Sequence, residues 1–68
     1  MKLKNILYRN YNSLSDNERE YYKENREKFE INVCDKYHTI HFSNDLIWDC
    51  EHLGYSALCE DAYNELTE

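Results

Sequence analysis

Apolar residues recur along this chain with two periods, and the changes of period divide it into elements. Leu3, Ile6, Leu7, Tyr11 and Leu14 recur at steps of three and four, the spacing of one helix face. A short helix is predicted over residues 2–11, with Asn10 and Asn12 suited to its end. Ser15-Asp16-Asn17-Glu18 reads as a capping box, in which the Ser hydroxyl accepts a backbone N–H and Glu18 reaches back. A second helix should follow to about Lys28. Its apolar face is only Tyr21, Tyr22 and Phe29, which predicts solvent around most of its circumference.

Between residues 29 and 42 the period changes to two. Phe29, Ile31 and Val33 alternate, as do His38, Ile40 and Phe42. With Asp35-Lys36 at the turn, 33 faces 38, 31 faces 40 and 29 faces 42, so all six side chains share one face of a β-hairpin. Asp-Lys is a poorer two-residue turn than Asp-Gly, and a four-residue loop from Cys34 to Tyr37 is the alternative. Ser43 reads as the next N-cap, with Asp45 in the first helical turn. Leu46, Ile47, Cys50 and Leu53 form a helical stripe that Gly54 ends or kinks. Leu58, Cys59, Ala62 and Leu66 form another, with Ser56 as its cap. The expected fold class is α+β: two N-terminal helices, a β-hairpin (about 29–42), then one kinked or two short C-terminal helices.

Length and composition narrow this further. A chain of 68 residues supports one small domain, 1–68, and buries only roughly 60% of its unfolded surface. Charged residues make up 32%, a level compatible with disorder, but aromatics at 15% argue for a folded state. No leading stretch has the pattern of a signal peptide and no segment approaches a membrane span. Together with an odd number of Cys, this predicts a cytoplasmic protein with reduced thiols. The abundance of Asn, Lys, Tyr and Ile implies AT-rich codons, as in a low-GC bacterium, phage or plasmid.

Charge is sorted by sign along the chain. Lys2, Lys4 and Arg9 precede any carboxylate, and no Lys or Arg follows Lys36. The remainder carries Asp45, Asp49, Glu51, Glu60, Asp61, Glu65 and Glu68. On helices, Asp45 with Asp49 and Asp61 with Glu65 would form like-charge rows at roughly 5–6 Å, loosely resembling the phosphate rows of a nucleic acid. Such a field disfavours direct nucleic-acid binding and favours a protein partner with a basic surface, such as a nucleic-acid enzyme. Trp48 lies off the Leu46–Leu53 stripe as an exposed aromatic anchor. The seven Tyr residues, too many for so small a core, supply more such surface, for a partner or a homodimer. The competing explanation is that the carboxylates only solvate the protein, or that Lys2, Lys4 and Arg9 fold back onto them.

The expectation is therefore a non-catalytic, DNA-mimic-like inhibitor of a host nucleic-acid enzyme or defence nuclease. Asp45, Trp48, Asp49, Glu51, Asp61 and Glu65 are its expected contacts. The alternatives are a zinc-stapled adaptor module and an antitoxin-like partner of a basic toxin. All Cys and His residues lie between positions 34 and 59 without a Cys-x2-Cys pair. Any zinc set would be Cys34, His38, Cys50 and Cys59, and otherwise no metal or cofactor is expected. A Cys-His pair, for example Cys34 with His38 or His41, could in principle supply nucleophile and base. It lacks any recognisable oxyanion or phosphate-binding motif, so no catalytic residue is assigned.

Overall fold

A computed structural model describes residues 1–68. The fold is a small α+β arrangement with helix α1 (Asp16–Asn25), strands β1 (Ile31–Val33), β2 (Ile40–Phe42), β3 (Ile47–Trp48) and β4 (Ala57–Leu58), and helix α2 (Glu60–Thr67). Strands β1 and β2 form one antiparallel hairpin and β3 and β4 a second. No helix is long and apolar enough to cross a membrane.

The capping box forms as the sequence predicts. Ser15 Oγ accepts from the Glu18 amide at 3.3 Å, and Glu18 Oε1 accepts from the Ser15 amide at 2.9 Å. Those bonds, led by the Ser15 backbone, together with Arg9 hold the Glu18 carboxyl below its ordinary 4.5. Its contribution to stability is thus complete above pH 4.5 and is lost as pH falls through the lower folded value. Ser15→Ala is expected to destabilise the protein by about 1 kcal/mol, read as a lower denaturation midpoint. A change within error would mean the box is dispensable. Of the helix, Tyr22 alone is buried, stacked edge-on against Tyr11 at 5.4 Å.

The hairpin forms with a longer loop than a two-residue turn. Ile31 faces Phe42, Asn32 faces His41 and Val33 faces Ile40. The register is displaced by two residues from that expectation, and an even displacement keeps each side chain on its face. Ile31 and Ile40 are buried, with Phe29, Val33 and Phe42 packed around them. His38 is the exception. A two-residue turn on Asp35-Lys36 needs positive φ at both residues, which neither side chain favours. Instead His38 takes φ 60 and its amide donates to the Cys34 carbonyl at 2.7 Å. It leaves the strand and lies exposed, whereas the sequence pattern put it on the core face.

Two expected helices are replaced. Residues 2–11 make only a 3-10 turn at Leu3–Asn5, and Tyr8 then adopts φ 64. From there the chain runs beside β2: Tyr8 N–H donates to Ile40 O (2.7 Å), Ile40 N–H to Arg9 O (3.1 Å) and Tyr11 N–H to His38 O (2.7 Å). A helix this short is marginal alone, and the open edge of β2 offers paired backbone bonds in its place. The Leu46–Leu53 stripe likewise goes into a hairpin, with Ile47 facing Leu58 and Trp48 facing Ala57, a 3-10 turn at Ser43–Asp45 before it and another at Glu51–Leu53 between its strands. β-branched Ile47 and aromatic Trp48 suit a strand, and Gly54 at φ 86 closes the second turn, a left-handed position natural to glycine. The last helix has Cys59 rather than Ser56 as its N-cap residue and buries Ala62.

The buried side chains fall into two clusters. Ile6, Leu14, Tyr22, Ile31 and Ile40 form the first; Cys34, Leu46, Cys50, Ala57, Leu58, Cys59 and Ala62 form the second. The β1–β2 loop spans them. Asp35 N–H donates to Ala57 O at 2.9 Å, and Asp35 Oδ2 accepts from the amides of Ser56 (2.7 Å) and Ala57 (3.2 Å). Lys36 and Tyr37 of the same loop meet Glu65 of α2.

Candidate functional site

One concavity of about 210 Å³ opens on the surface, lined by Tyr8, His41, Asp45, Cys59, Glu60 and Asp61. Four elements supply it. β2 carries His41 on the face away from the Ile40 side chain. The left-handed backbone at Tyr8 brings its ring edge-on to the imidazole at 5.4 Å. The turn after β2 contributes Asp45, and the start of α2 contributes Cys59, Glu60 and Asp61. Glu60 and Asp61 occupy the first helical turn, where the backbone dipole favours carboxylates.

Burial pushes the His41 imidazole below its ordinary value, with Asp45 and Asp61 opposing the shift, so the ring is mostly neutral at pH 7. One ring nitrogen, Nε2, lies 2.6 Å from Thr39 Oγ1. Burial also pushes the Cys59 thiol up. The thiol is thus protonated at neutral pH, the opposite of the lowered value that activates a cysteine nucleophile.

The six expected contact residues separate into groups. Asp45 and Asp61 meet in the concavity although 16 positions apart in sequence. Trp48 is 47% exposed, and its indole N–H donates to Ser43 O at 3.0 Å, which lays the ring over the turn carrying Asp45. Asp49 and Glu51 are exposed around the second hairpin's turn, Asp49 at φ 62. Because that segment is not helical, Asp45 and Asp49 do not form the expected row. Asp61 and Glu65 do sit four apart on α2. Glu65, however, accepts a hydrogen bond from the Tyr37 hydroxyl and lies 3.9 Å from Lys36 Nζ, so it is engaged within the fold.

The other carboxylates after Lys36 make no ion pair. Arg9 turns to Glu18 at 2.5 Å and Arg19 to Asp16 at 3.8 Å, and neither Lys2 nor Lys4 pairs with the acidic half. Lys2, Lys4 and Arg9 thus form no ion pair with the carboxylates after Lys36.

The zinc set does not assemble. Cys34, Cys50 and Cys59 share the second core, but His38 stands exposed at the loop, and no group of three or more His, Cys, Asp and Glu side chains could hold a metal ion. Cys34, at the start of the β1–β2 loop, is fully buried. Tyr8, His41, Cys59 and Glu60 are site residues that sequence spacing did not reveal. The pairing of residues 8–11 with β2 brings Tyr8 to His41, and the start of α2 brings Cys59 and Glu60; no local pattern announces either.

No family model matches this chain, and no curated protein or solved structure matches it significantly, so the site rests on its own geometry.

Proposed function

We propose that this protein is a non-catalytic inhibitor, encoded by a phage or mobile element, that binds a basic protein partner through its acidic, aromatic face. The supporting observation is the lack of internal neutralisation. Six of the seven carboxylates after Lys36 have no cationic partner, and Asp45, Glu60 and Asp61 of this set rim one concavity beside exposed Tyr8 and the Trp48-covered turn. Uncompensated charge of one sign steers a partner of opposite sign, and a large ring beside it supplies apolar area on contact. The partner class is a nucleic-acid enzyme or nuclease of a bacterial host cytoplasm, blocked by occupation of its nucleic-acid channel.

The test is capture of partners from a low-GC bacterial lysate at about 50 and 300 mM salt, since exposed charge pairs are screened over this range. A basic nucleic-acid enzyme held at low salt and released at high salt is the expected result. Replacing Asp45, Asp49 and Asp61 together by Lys should weaken binding by roughly 10- to 100-fold, with Glu65 left in place because it serves the fold. Unchanged affinity in that variant would overturn the mimicry. Capture of a small basic toxin instead would assign the same face to an antitoxin.

A further inference from the structure

Cations of this chain meet aromatic rings in three places. Arg19 lies over Tyr11 at 5.7 Å, Lys28 over Phe29 at 5.4 Å and Lys36 over Tyr37 at 5.4 Å. At the third a carboxylate completes the arrangement: Glu65 lies 3.9 Å from Lys36 Nζ and accepts from the Tyr37 hydroxyl. The fold thus holds one cation between a ring face and a carboxylate, where ring quadrupole and charge both attract it. Tyr8 has the same two components and no cation of its own chain. Its ring is exposed, and Asp45, Glu60 and Asp61 line the same concavity. No Lys or Arg pairs with those carboxylates or lies over that ring.

The Tyr8 ring is also held in place. The Tyr8 amide donates to Ile40 O at 2.7 Å, and the ring meets the His41 imidazole at 5.4 Å with 62° between their planes. This posture needs φ 64, a left-handed backbone that Asn or Gly adopts readily and an aromatic residue does not. Burial does not offset that cost, since the residue is 57% exposed.

We propose, building on the acidic-face reading above, that the concavity seats one arginine side chain of the basic partner, its guanidinium stacked on the Tyr8 ring and forked toward Asp45 and Asp61. The volume of about 210 Å³ is below the roughly 300–1,000 Å³ of a small-molecule site and suits a single side chain. Arginine fits better than lysine because its planar head stacks on a ring while its fork of N–H donors reaches carboxylates on two elements. The turn after β2 supplies one of these carboxylates and the start of α2 the other. The amides opening α2 carry roughly half a positive charge, too little to cancel three carboxylates. His41, mostly neutral at pH 7, adds no opposing charge.

The probe is the capped tripeptide Gly-Arg-Gly, titrated into the full-length protein at low salt and followed by NMR. Gly-Lys-Gly and Gly-citrulline-Gly are the comparisons. The arginine peptide should shift the signals of Tyr8, His41, Asp45 and Asp61 saturably. The lysine peptide should need at least about threefold more for the same shift, and the neutral citrulline peptide should leave the four signals in place. Tyr8→Asn should weaken the arginine peptide at least about threefold while the thermal midpoint holds or rises, because Asn suits the left-handed backbone. Tyr8→Phe, which keeps the ring, should bind within about twofold of the parent. Equal responses to arginine and lysine, shifts confined to carboxylates outside the concavity, or undiminished binding by Tyr8→Asn would overturn the seat. The three parent titrations decide the matter even where a variant does not fold. If they fail while salt-sensitive capture from lysate persists, the arginine seat falls and the acidic face stands. If they succeed while the lysate yields no basic partner, the proposed partner class falls and the seat stands.

Discussion

Ile40→Ala is expected to remove about 2–5 kcal/mol of stability, the cost of a cavity at a fully buried aliphatic position. A chain of this length has a total of roughly 3–10 kcal/mol. The variant should therefore lose a large share of its stability and unfold at a much lower denaturant midpoint. Two features place Ile40 at the upper end of the range. Its side chain is one of four buried aliphatic groups in the first core, with Ile6, Leu14 and Ile31. Its backbone also joins the N-terminal segment to the hairpin through Tyr8 and Arg9 on one side and faces Val33 on the other. Ile40→Val should cost only about 0.5–1.5 kcal/mol. Denaturant titration followed by far-ultraviolet circular dichroism measures both. A loss below about 1 kcal/mol for the alanine variant would show that the first core collapses around the gap or is not the seat of stability.

The second large effect is expected at Asp35. Removing its carboxylate in Asp35→Ala strands the amides of Ser56 and Ala57. Ser56 is exposed, so its amide can turn to water. Ala57 is buried, and an orphaned buried donor costs about 1–3 kcal/mol. Asp35→Asn keeps an acceptor oxygen and should lose less. Amide hydrogen exchange at Ala57 separates this role from a general weakening. The alanine variant should exchange there faster than at Ile31 in the first core, whereas equal acceleration at both positions would mean that Asp35 does not act locally.

How much of this was readable in advance depended on the range of the forces involved. The Ser15–Glu18 box is a matter of three residues and their own amides, and it formed as its spacing predicts. Alternation from Phe29 to Phe42 specified a hairpin and its apolar face, because side-chain direction in a strand follows parity. It did not specify the loop. Register depended on whether Asp35-Lys36 or His38 took the left-handed conformation, a choice among residues none of which favours it strongly. Helical spacing at Leu3–Leu14 and Leu46–Leu53 was misleading for a different reason. Both stretches are short, so their helical preference is weak, and hydrogen bonds to partners distant in sequence outweigh it.

The candidate site divides along the same line. Sorting of charge is a property of the sequence alone, and so is the absence of Lys or Arg near the C-terminal carboxylates along the chain. Which carboxylates remain unpaired in space was decided by tertiary structure. Lys36 reaches Glu65 across the β1–β2 loop, while Arg9 turns to Glu18. The meeting of Asp45 with Asp61, and of Tyr8 with His41, likewise depends on segments that fold back over one another. By itself the sequence determined the α+β class, the capped helix, the faces of the first hairpin and the sign of the field. Tertiary structure decided the second hairpin, the edge pairing of the N-terminal segment and the concavity, because each arises from backbone bonds and burial between residues that no local period connects.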